Sequence, residues 1–306
     1  MRDNVVNELI NLAKNDKDIV LLTGDLGFGV FEKFESSFPG QYFNVGVAEQ
    51  NMIGLATGLA LEGKKVVTYS IGNFGILRCL EQIRNDACYH DANITIIANG
   101  GGFSYGSLGM SHHTTEDIAI LRSLPNISVV APCTADEAGE AIKSMIMNGG
   151  TGYLRLDKSS PKDCSSEDLF VIGKSRRYKE GKDITLIATG SILGEANIAS
   201  VELKKFGIQV RVVGMHSIKP IDADEIIDAV SNTGGIVTIE EHNKDGGLGS
   251  AVSEVCMDLG IKPNKFLRIG LDNQYSSIVG GQQYLRSRYD MDSKAVINKI
   301  KKIFKL

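Results

Sequence analysis

Phe43-Asn-Val-Gly-Val-Ala-Glu-Gln-Asn-Met-Ile-Gly-Leu-Ala-Thr-Gly-Leu-Ala-Leu61 is the stretch that decides how this chain folds. From Ala48 onward its composition predicts a helix that ends at Gly63, before a run of strand-forming residues. No charged residue lies between Glu49 and Glu62. A helix without a polar face is typical of a domain core or a subunit interface. The stretch therefore predicts an internal helix that carries one carboxylate in its first turn.

That carboxylate belongs to Glu49, and two interpretations of it are open. In an apolar setting a carboxylate must be paired with another group or take up a proton. Alternatively, Glu49 only complements the positive end of the helix dipole, with its head group in water. The residues further along the chain favour the first interpretation.

Length, charge and cysteine content exclude several classes of function. The 306 residues are long for one core and sufficient for two α/β domains. A net charge of -4 with interspersed acidic and basic residues favours neither nucleic acid nor an anionic membrane as a partner. No apolar run approaches the roughly 20 residues of a membrane span, and no signal peptide is recognisable. The cysteines are odd in number and scattered, so we expect free thiols, no metal site and a cytoplasmic protein.

Short apolar runs alternate with helical patterns along the chain, which predicts parallel sheets covered by helices. Strands are predicted at 19–23, 65–69, 94–98, 127–131, 153–156, 184–188, 210–213 and 236–239. A polar stretch without periodicity separates the fifth strand from the sixth. The sequence thus predicts an α/β protein with two doubly wound domains, residues 1–160 and 181–306, joined by a linker at 161–180.

Ligands of open parallel sheets bind beyond the carboxyl ends of the strands. In the first domain those ends are followed by Asp25, by the loop Ser70–Phe74 and by the glycine-rich segment Asn99–Thr114, which ends shortly after two histidines. Loops of this length are usually functional when they are ordered. The corresponding segment of the second domain is Glu240–Ser250.

Several motifs, in this order and at these spacings, resemble the carboxyl-terminal half of transketolases, which are thiamine diphosphate enzymes. They are Gly24-Asp-Leu26, Asn44-Val-Gly-Val-Ala-Glu-Gln50, Phe74–Arg84, Ser111-His-His113 before Glu116, Tyr153-Leu-Arg-Leu-Asp157 and Ile239–Ser250. The resemblance covers essentially the whole chain. It implies that residues 1–160 form a pyrimidine-binding domain and that residues 181–306 form the family's carboxyl-terminal domain, which has no direct catalytic role.

The resemblance also implies a partner. In this family the diphosphate and a divalent metal are held by a separate domain with a Gly-Asp-Gly signature and a downstream Asn, whereas the one Gly-Asp of this chain, Gly24-Asp25, continues with Leu26. The chain therefore resembles one subunit of a split transketolase. We expect an N-terminal, diphosphate-binding partner subunit that holds Mg²⁺ or Ca²⁺, an α2β2 assembly with a dimer of this chain at its centre, and small-molecule sugar substrates.

Roles for individual residues follow from the same resemblance. Glu49 corresponds to the glutamate that shares a proton with the aminopyrimidine ring of thiamine diphosphate. Phe74 corresponds to the ring that stacks on the aminopyrimidine, although a plain core phenylalanine is the alternative. Asp25 matches a residue near the cofactor, unless it only orders a turn through side-chain to backbone hydrogen bonds.

Two further residues are expected at the substrate. His112 corresponds to the histidine that contacts substrate hydroxyls and assists proton transfer. Arg155 matches an arginine that binds the acceptor's phosphate, and its alternative is a surface ion pair. The chain departs from sugar-phosphate transketolases at Gly29, Gly100 and Leu108, where serine, histidine and aspartate would be expected. We therefore expect an acceptor other than an ordinary pentose phosphate, such as a larger, unphosphorylated or nucleotide-linked sugar.

The predicted function is transfer of a two-carbon ketol unit from a ketose donor to an aldehyde or an atypical sugar, in the presence of the partner subunit. The β subunit of the first component of a 2-oxoacid dehydrogenase and a deoxyxylulose-phosphate synthase-like enzyme remain alternatives. A non-catalytic assembly or regulatory subunit is the alternative of another class. A dinucleotide-binding dehydrogenase is disfavoured, because Gly246-Gly-Leu-Gly249 lacks the spacing of that fingerprint.

Overall fold

Two sheets with helices on both faces form the frame of the molecule, in a computed structural model that describes residues 1–305. The strands are β1 (Ile19–Thr23), β2 (Tyr42–Asn44), β3 (Lys65–Ile71), β4 (Ile94–Asn99), β5 (Ile127–Val130), β6 (Thr151–Leu156), β7 (Arg176–Lys179), β8 (Ile184–Thr189), β9 (Val210–Gly214), β10 (Ser217–Lys219), β11 (Ile236–Asn243) and β12 (Phe266–Leu271). The helices are α1 (Arg2–Ala13), α2 (Glu32–Ser37), α3 (Glu49–Leu61), α4 (Leu80–Gln82), α5 (Asp117–Arg122), α6 (Ala135–Asn148), α7 (Leu193–Lys204), α8 (Ala223–Asn232), α9 (Leu248–Asp258), α10 (Gln282–Arg288) and α11 (Ser293–Phe304). A π-helical turn at Ile83–Cys88 continues α4, and short 3₁₀ helices lie at Gly106–Leu108, Met110–His112 and Gly190–Ile192.

The first sheet has the strand order β10-β5-β6-β4-β3-β1-β2. All its pairs are parallel except β10 with β5, so a strand from the second half of the chain closes one edge of this sheet. Strand β1 shows how the core is divided, since Val20 and Leu22 pack in one cluster while Ile19 and Leu21 pack in another on the opposite face. Burial on both faces explains why the strands appear in the sequence as continuous apolar runs.

The second sheet has the order β12-β11-β8-β9-β7, with β7 antiparallel at the edge. Here too the central strand β8 is buried on both faces, with Leu186 in one cluster and Ile187 in another. The prediction of an α/β protein built from two doubly wound domains is therefore confirmed. The domain boundaries stay a prediction, and the predicted linker at 161–180 includes strand β7.

Helix α3 buries one face within this chain and leaves another exposed. Met52, Ile53 and Ala56 pack onto the first sheet. On the outer side Leu61 is 59% exposed, and Gly54 has no atom within 4 Å of the position that a Cβ would take. An exposed apolar helix face beside a glycine is typical of a protein interface.

Within residues 1–305, no helix is both long enough and apolar enough to cross a bilayer. The cysteines at positions 79, 88, 133, 164 and 256 are free.

Strand β11 carries a buried carboxylate whose protonation should couple folding to pH. Glu240 is fully buried, and its two carboxylate oxygens accept backbone hydrogen bonds of 2.7 Å from Leu248 and 2.9 Å from Gly249 at the start of α9. Burial nevertheless raises the pKa of Glu240 from 4.5 to about 8, since it outweighs those hydrogen bonds. Folding therefore takes up a proton between these two pH values.

Replacing Glu240 by Gln should remove that coupling. A raised folded-state pKa gives the wild-type protein an advantage that is complete at about pH 4.5 and is lost as the pH rises to about 8. Thermal unfolding of both proteins should show the difference in Tm, wild type minus Glu240→Gln, becoming smaller between about pH 5 and about pH 8.5. A difference that stays constant or grows over this range would contradict the assignment.

Candidate active site

Four neighbouring parallel strands, β6, β4, β3 and β1, end at the same edge of the first sheet. The segments that follow them carry most of the side chains that the sequence analysis singled out. The amino end of α3 brings Glu49 to the same region, because the turn after β1 packs against that helix end. A Cβ placed on Gly24 would lie 3.5 Å from Cγ of Glu49.

Glu49 is enclosed at this edge, with 1% of its surface exposed. Its Oε2 accepts a hydrogen bond of 2.9 Å from Nη1 of Arg78, and the Arg78 side chain is itself 48% exposed. This pairing is what the apolar position of Glu49 requires. The sequence analysis did not single out Arg78, although it lies within the motif Phe74–Arg84.

Phe74 and His112 extend this group. The two rings make an edge-to-face contact with centroids 5.1 Å apart, and the guanidinium carbon of Arg78 lies 5.1 Å from the centre of the Phe74 ring. Phe74 is only partly buried, which distinguishes it from a core phenylalanine. The structure thus joins Glu49, Arg78, Phe74 and His112 in one continuous line of contacts.

Asp25 lies in the turn after β1. Its φ of 58° is in the left-handed region, and its Oδ1 accepts a hydrogen bond of 2.9 Å from Nδ2 of Asn44. Oδ1 of Asn44 in turn accepts hydrogen bonds from the backbone N–H groups of Asp25 and Gly46, each 3.0 Å long. These contacts connect the turn after β1 to the segment before α3. The side chain that bonds to backbone groups here is that of Asn44, so the turn-forming alternative and the cofactor-binding role of Asp25 both stay predictions.

His112 is placed by the glycine-rich loop. Its Nδ1 lies 3.0 Å from Oγ of Ser111, which orients the ring. The next histidine differs, because His113 is buried and its Nε2 lies 3.2 Å from the carbonyl oxygen of Gly106. Burial lowers the pKa of His113, as expected for a neutral ring that donates to a carbonyl in the interior.

Arg155 is not at the surface of this site. It is 1% exposed, and its Nε donates a hydrogen bond of 2.8 Å to Oδ2 of Asp117. Its Nη2 donates to the carbonyl oxygens of Thr114 and Glu241, each at 3.0 Å, and Nη1 lies 3.5 Å from Oδ1 of Asp157. The guanidinium group therefore joins the two domains and presents no exposed face to a substrate phosphate. It is not a surface ion pair either, since its acidic partners are equally buried.

Three residues that the sequence analysis did not single out, Tyr105, Asn99 and Lys158, complete the group. Gly100 has a φ of 103°, and a Cβ there would lie 2.3 Å from the ring of Tyr105, so this ring fills the space that a side chain at position 100 would need. The Tyr105 hydroxyl accepts a hydrogen bond of 2.7 Å from Nδ2 of Asn99. Nζ of Lys158 lies 5.0 Å from the centre of the same ring.

A pocket of about 220 Å³ opens beside Tyr105 and is lined by Met1, Arg2, Asp3, Asn99 and Lys158. The ring of Tyr105 also lies 6.4 Å from that of His112, centroid to centroid, so Tyr105 adjoins both His112 and residues that line this pocket. Within residues 1–305, no cluster of three or more His, Cys, Asp or Glu side chains has an arrangement that could hold a metal ion.

Comparison with known proteins adds an independent line of evidence. Residues 1–162 match the family model of the transketolase pyrimidine-binding domain, and residues 173–283 match that of the transketolase carboxyl-terminal domain. Among curated proteins, the chain is 35% identical to an apulose-4-phosphate transketolase subunit of Phocaeicola vulgatus, over 96% of this chain and 94% of that protein. It is 38% identical to a putative transketolase C-terminal section of Methanocaldococcus jannaschii, over 98% and 95% of the two chains.

A solved structure of a split-gene transketolase, described as an inactive β4 tetramer, has the same fold. It superimposes with a TM-score of 0.87 at 34% sequence identity and covers 100% of this chain and 98% of that one. The two matched models follow each other along the chain in the order that the sequence motifs predicted. The chain therefore belongs to the transketolase family and corresponds to the carboxyl-terminal subunit of a split transketolase.

Proposed function

We propose that this chain is the pyrimidine-binding subunit of a thiamine diphosphate-dependent transketolase. Together with an N-terminal partner subunit, it transfers a two-carbon ketol unit from a ketose donor to a sugar acceptor. One observation carries the proposal: Glu49 is buried at the start of α3, in contact through Arg78 with the partly buried ring of Phe74. A buried acid beside an accessible aromatic ring is the set of groups that an aminopyrimidine requires.

These residues fit the pyrimidine half of the cofactor. The carboxylate of Glu49 is enclosed, and the Arg78 side chain that bonds to it is half exposed. Because water can solvate the half-exposed Arg78, Glu49 can exchange this partner for another hydrogen-bonding group without leaving a buried cation unpaired. The ring of Phe74 meets that of His112 at a steep angle, and the guanidinium group of Arg78 lies over it, so movement of Arg78 would free ring surface for stacking. When bound, thiamine diphosphate would supply the carbon nucleophile that accepts the two-carbon unit.

Glu49, Phe74 and His112 each have a distinct task in this proposal. Glu49 holds a proton at a ring nitrogen of the aminopyrimidine, in a position from which water is excluded. Phe74 fixes the plane of that ring. His112, oriented by Ser111, lies next to Phe74 and moves a proton to or from a substrate hydroxyl. Catalysis of this kind depends on placing these groups within hydrogen-bonding distance of the reacting atoms.

We further propose that the acceptor carries a terminal anionic group. Arg2 and Lys158 line the pocket beside Tyr105, and Nε of Arg2 lies 3.2 Å from Oδ1 of Asp3, the one acidic side chain of the lining, so the lining side chains have a net positive charge. From Gly29, Gly100 and Leu108 we expected an acceptor other than an ordinary pentose phosphate, such as a larger, unphosphorylated or nucleotide-linked sugar, and these cations were not part of that expectation. The apulose-4-phosphate transketolase subunit, at 35% identity, is named for a phosphorylated sugar, which agrees with an anion at this position.

The partner subunit is part of the proposal. We propose that it binds the diphosphate with Mg²⁺ or Ca²⁺ and that two copies of each chain form an α2β2 assembly. The exposed apolar face of α3, adjoining Glu49, offers a surface for such contacts. The structurally similar split-gene transketolase chain, which is described as an inactive β4 tetramer, supports both self-association and the need for a second subunit.

A donor assay with the reconstituted pair of chains tests the proposed function. Ketose phosphates should be consumed in proportion to the extended acceptor formed, whereas pyruvate and other 2-oxoacids should not be decarboxylated. Release of CO₂ from a 2-oxoacid at a comparable rate would favour the 2-oxoacid dehydrogenase alternative. No turnover by the assembled pair with any donor would favour a non-catalytic subunit.

Lys158→Ala should raise the KM for a phosphorylated acceptor by about tenfold, as expected for loss of one charge-assisted contact, and change the KM for its unphosphorylated counterpart by less than about twofold.

A further inference from the structure

We propose that Glu241, in the second domain, is a positioning residue for His112. Its carboxylate accepts a hydrogen bond from the start of the loop that carries this histidine, residues 103–112. The carboxyl-terminal domain therefore takes part in placing a catalytic group. The kinetic part of this inference rests on the proposed function. The structural part concerns the loop alone.

Gly102 and Thr114 form a short antiparallel pair that closes this loop. The N–H of Gly102 donates to the carbonyl oxygen of Thr114 at 2.8 Å, and the N–H of Thr114 donates to that of Gly102 at 2.9 Å. Directly after it, the N–H of Phe103 donates a hydrogen bond of 2.5 Å to Oε1 of Glu241. A Cβ on Gly102 would lie 2.5 Å from the same oxygen, so the close approach of Glu241 requires glycine at this position.

Glu241 is itself firmly held. It is 2% exposed, and its Oε2 accepts a hydrogen bond from Nε of Arg286. Nε2 of Gln282 lies 2.9 Å from Oε1 and 3.2 Å from Oε2. The buried charge is thus compensated by a neighbouring cation and by several donors, an arrangement that fixes one geometry of the carboxylate.

The second domain also contacts the loop beyond the pair formed by Gly102 and Thr114. The N–H of Gly280 donates to the carbonyl oxygen of Gly106 at 3.1 Å. The rings of Phe103 and Tyr289 stack with centroids 5.5 Å apart. His112 lies further along the same loop, on the side that faces Phe74 of the first domain.

This arrangement explains how a loop rich in glycine can place a catalytic side chain. Such loops are ordinarily among the least stable parts of a domain, because they bury few apolar contacts. Errors of about 1 Å in the position of a catalytic group cost on the order of 10²-fold in rate. A charge-assisted hydrogen bond from a second, rigid domain restricts the loop without adding side chains to the site itself.

The test compares Glu241→Gln with a matched control, Glu225→Gln. Glu225 is also a buried carboxylate of the second domain that is paired with arginines, at 2.7 Å from Arg177 and 3.4 Å from Arg211, and it does not contact the loop. Hydrogen exchange of the full chain should show the amides of residues 103–112 exchanging about tenfold faster in Glu241→Gln, as expected when a charge-assisted hydrogen bond is lost. Glu225→Gln should leave exchange in this segment unchanged.

Kinetics of the reconstituted enzyme separate positioning from general destabilisation. Glu241→Gln should lower kcat by about tenfold and leave the apparent affinity for thiamine diphosphate within about twofold, since Glu49 and Phe74 are not on the loop. In a His112→Ala background the same substitution should have no further effect on kcat, because both changes remove one function. A merely structural residue would instead give additive losses in the double variant.

The outcomes distinguish the two proposals. Equal loop exchange in Glu241→Gln and Glu225→Gln, or additive kinetic losses, would overturn the positioning role while leaving ketol transfer intact. Absence of ketol transfer in the wild-type pair would overturn the proposed function, and the exchange data would still decide the loop claim. If Glu241→Gln does not fold, Gln282→Ala takes its place, and faster exchange confined to residues 103–112 is again the expected result.

Discussion

Replacing Glu49 by Gln is expected to lower ketol transfer by the reconstituted enzyme about 10²- to 10⁴-fold, the usual range for removal of a general acid or base. Glutamine has the same shape and still forms hydrogen bonds, but it cannot exchange a proton with the aminopyrimidine. The position is 1% exposed, so water cannot substitute for the missing carboxylate. Steady-state rates with saturating thiamine diphosphate and donor measure the effect.

The loss should not come from misfolding or failed assembly. The partner of Glu49, Arg78, is half exposed, so Glu49→Gln removes the buried charge and leaves a cation that water can solvate. Glu62→Gln, an exposed change at the other end of the same helix, is the matched control and should retain full activity. Sedimentation of the variant with its partner should match that of the wild type. A Glu49→Gln complex with more than about one tenth of wild-type activity would exclude the proposed role.

Replacing His112 by Asn is expected to lower kcat/KM for ketol transfer by about 10²-fold, at the lower end of the range for proton-transfer groups. The effect should be smaller than that of Glu49→Gln, because His112 is only partly buried and water can replace part of its function. The affinity for thiamine diphosphate should change little, because Phe74, and not His112, is the residue proposed to stack on the aminopyrimidine.

A matched control separates this role from a general effect of losing a histidine. His90→Asn, a change at an exposed histidine outside the site, should retain wild-type kcat/KM for ketol transfer. Equal losses in both variants would show that His112 takes no part in proton transfer.

The central elements of the fold were predictable from the sequence because their burial pattern is local. Strands β1, β4 and β8 are buried throughout, and α3 begins one residue after and ends two residues before the predicted bounds. The elements that were missed lie at edges. Strand β7 consists of charged side chains and one tyrosine, and β10 has three residues, so neither shows a burial period. Strand β12 contains Arg268 and Gly270, which interrupt its apolar pattern.

The location of a site residue was predictable where it depends on that residue's own position in the chain. Glu49, Phe74 and His112 follow strands or begin a helix at one sheet edge, and the structure brings them together. Arg155 shows the limit of such inference. Its environment is set by Asp117, 38 residues before it, and by Glu241, 86 residues after it, so only the fold reveals that it is interior.

The central claim is that this chain holds half of an active site that a second chain completes. Its most direct test is a titration of the chain with a diphosphate-binding partner at fixed thiamine diphosphate and Mg²⁺, with ketol transfer as the readout. The account predicts no transfer by either chain alone and a linear rise to a plateau at one partner per chain. Full transfer by this chain without any partner, or a mixture in which the two chains assemble and Glu49→Gln remains as active as the wild type, would contradict it.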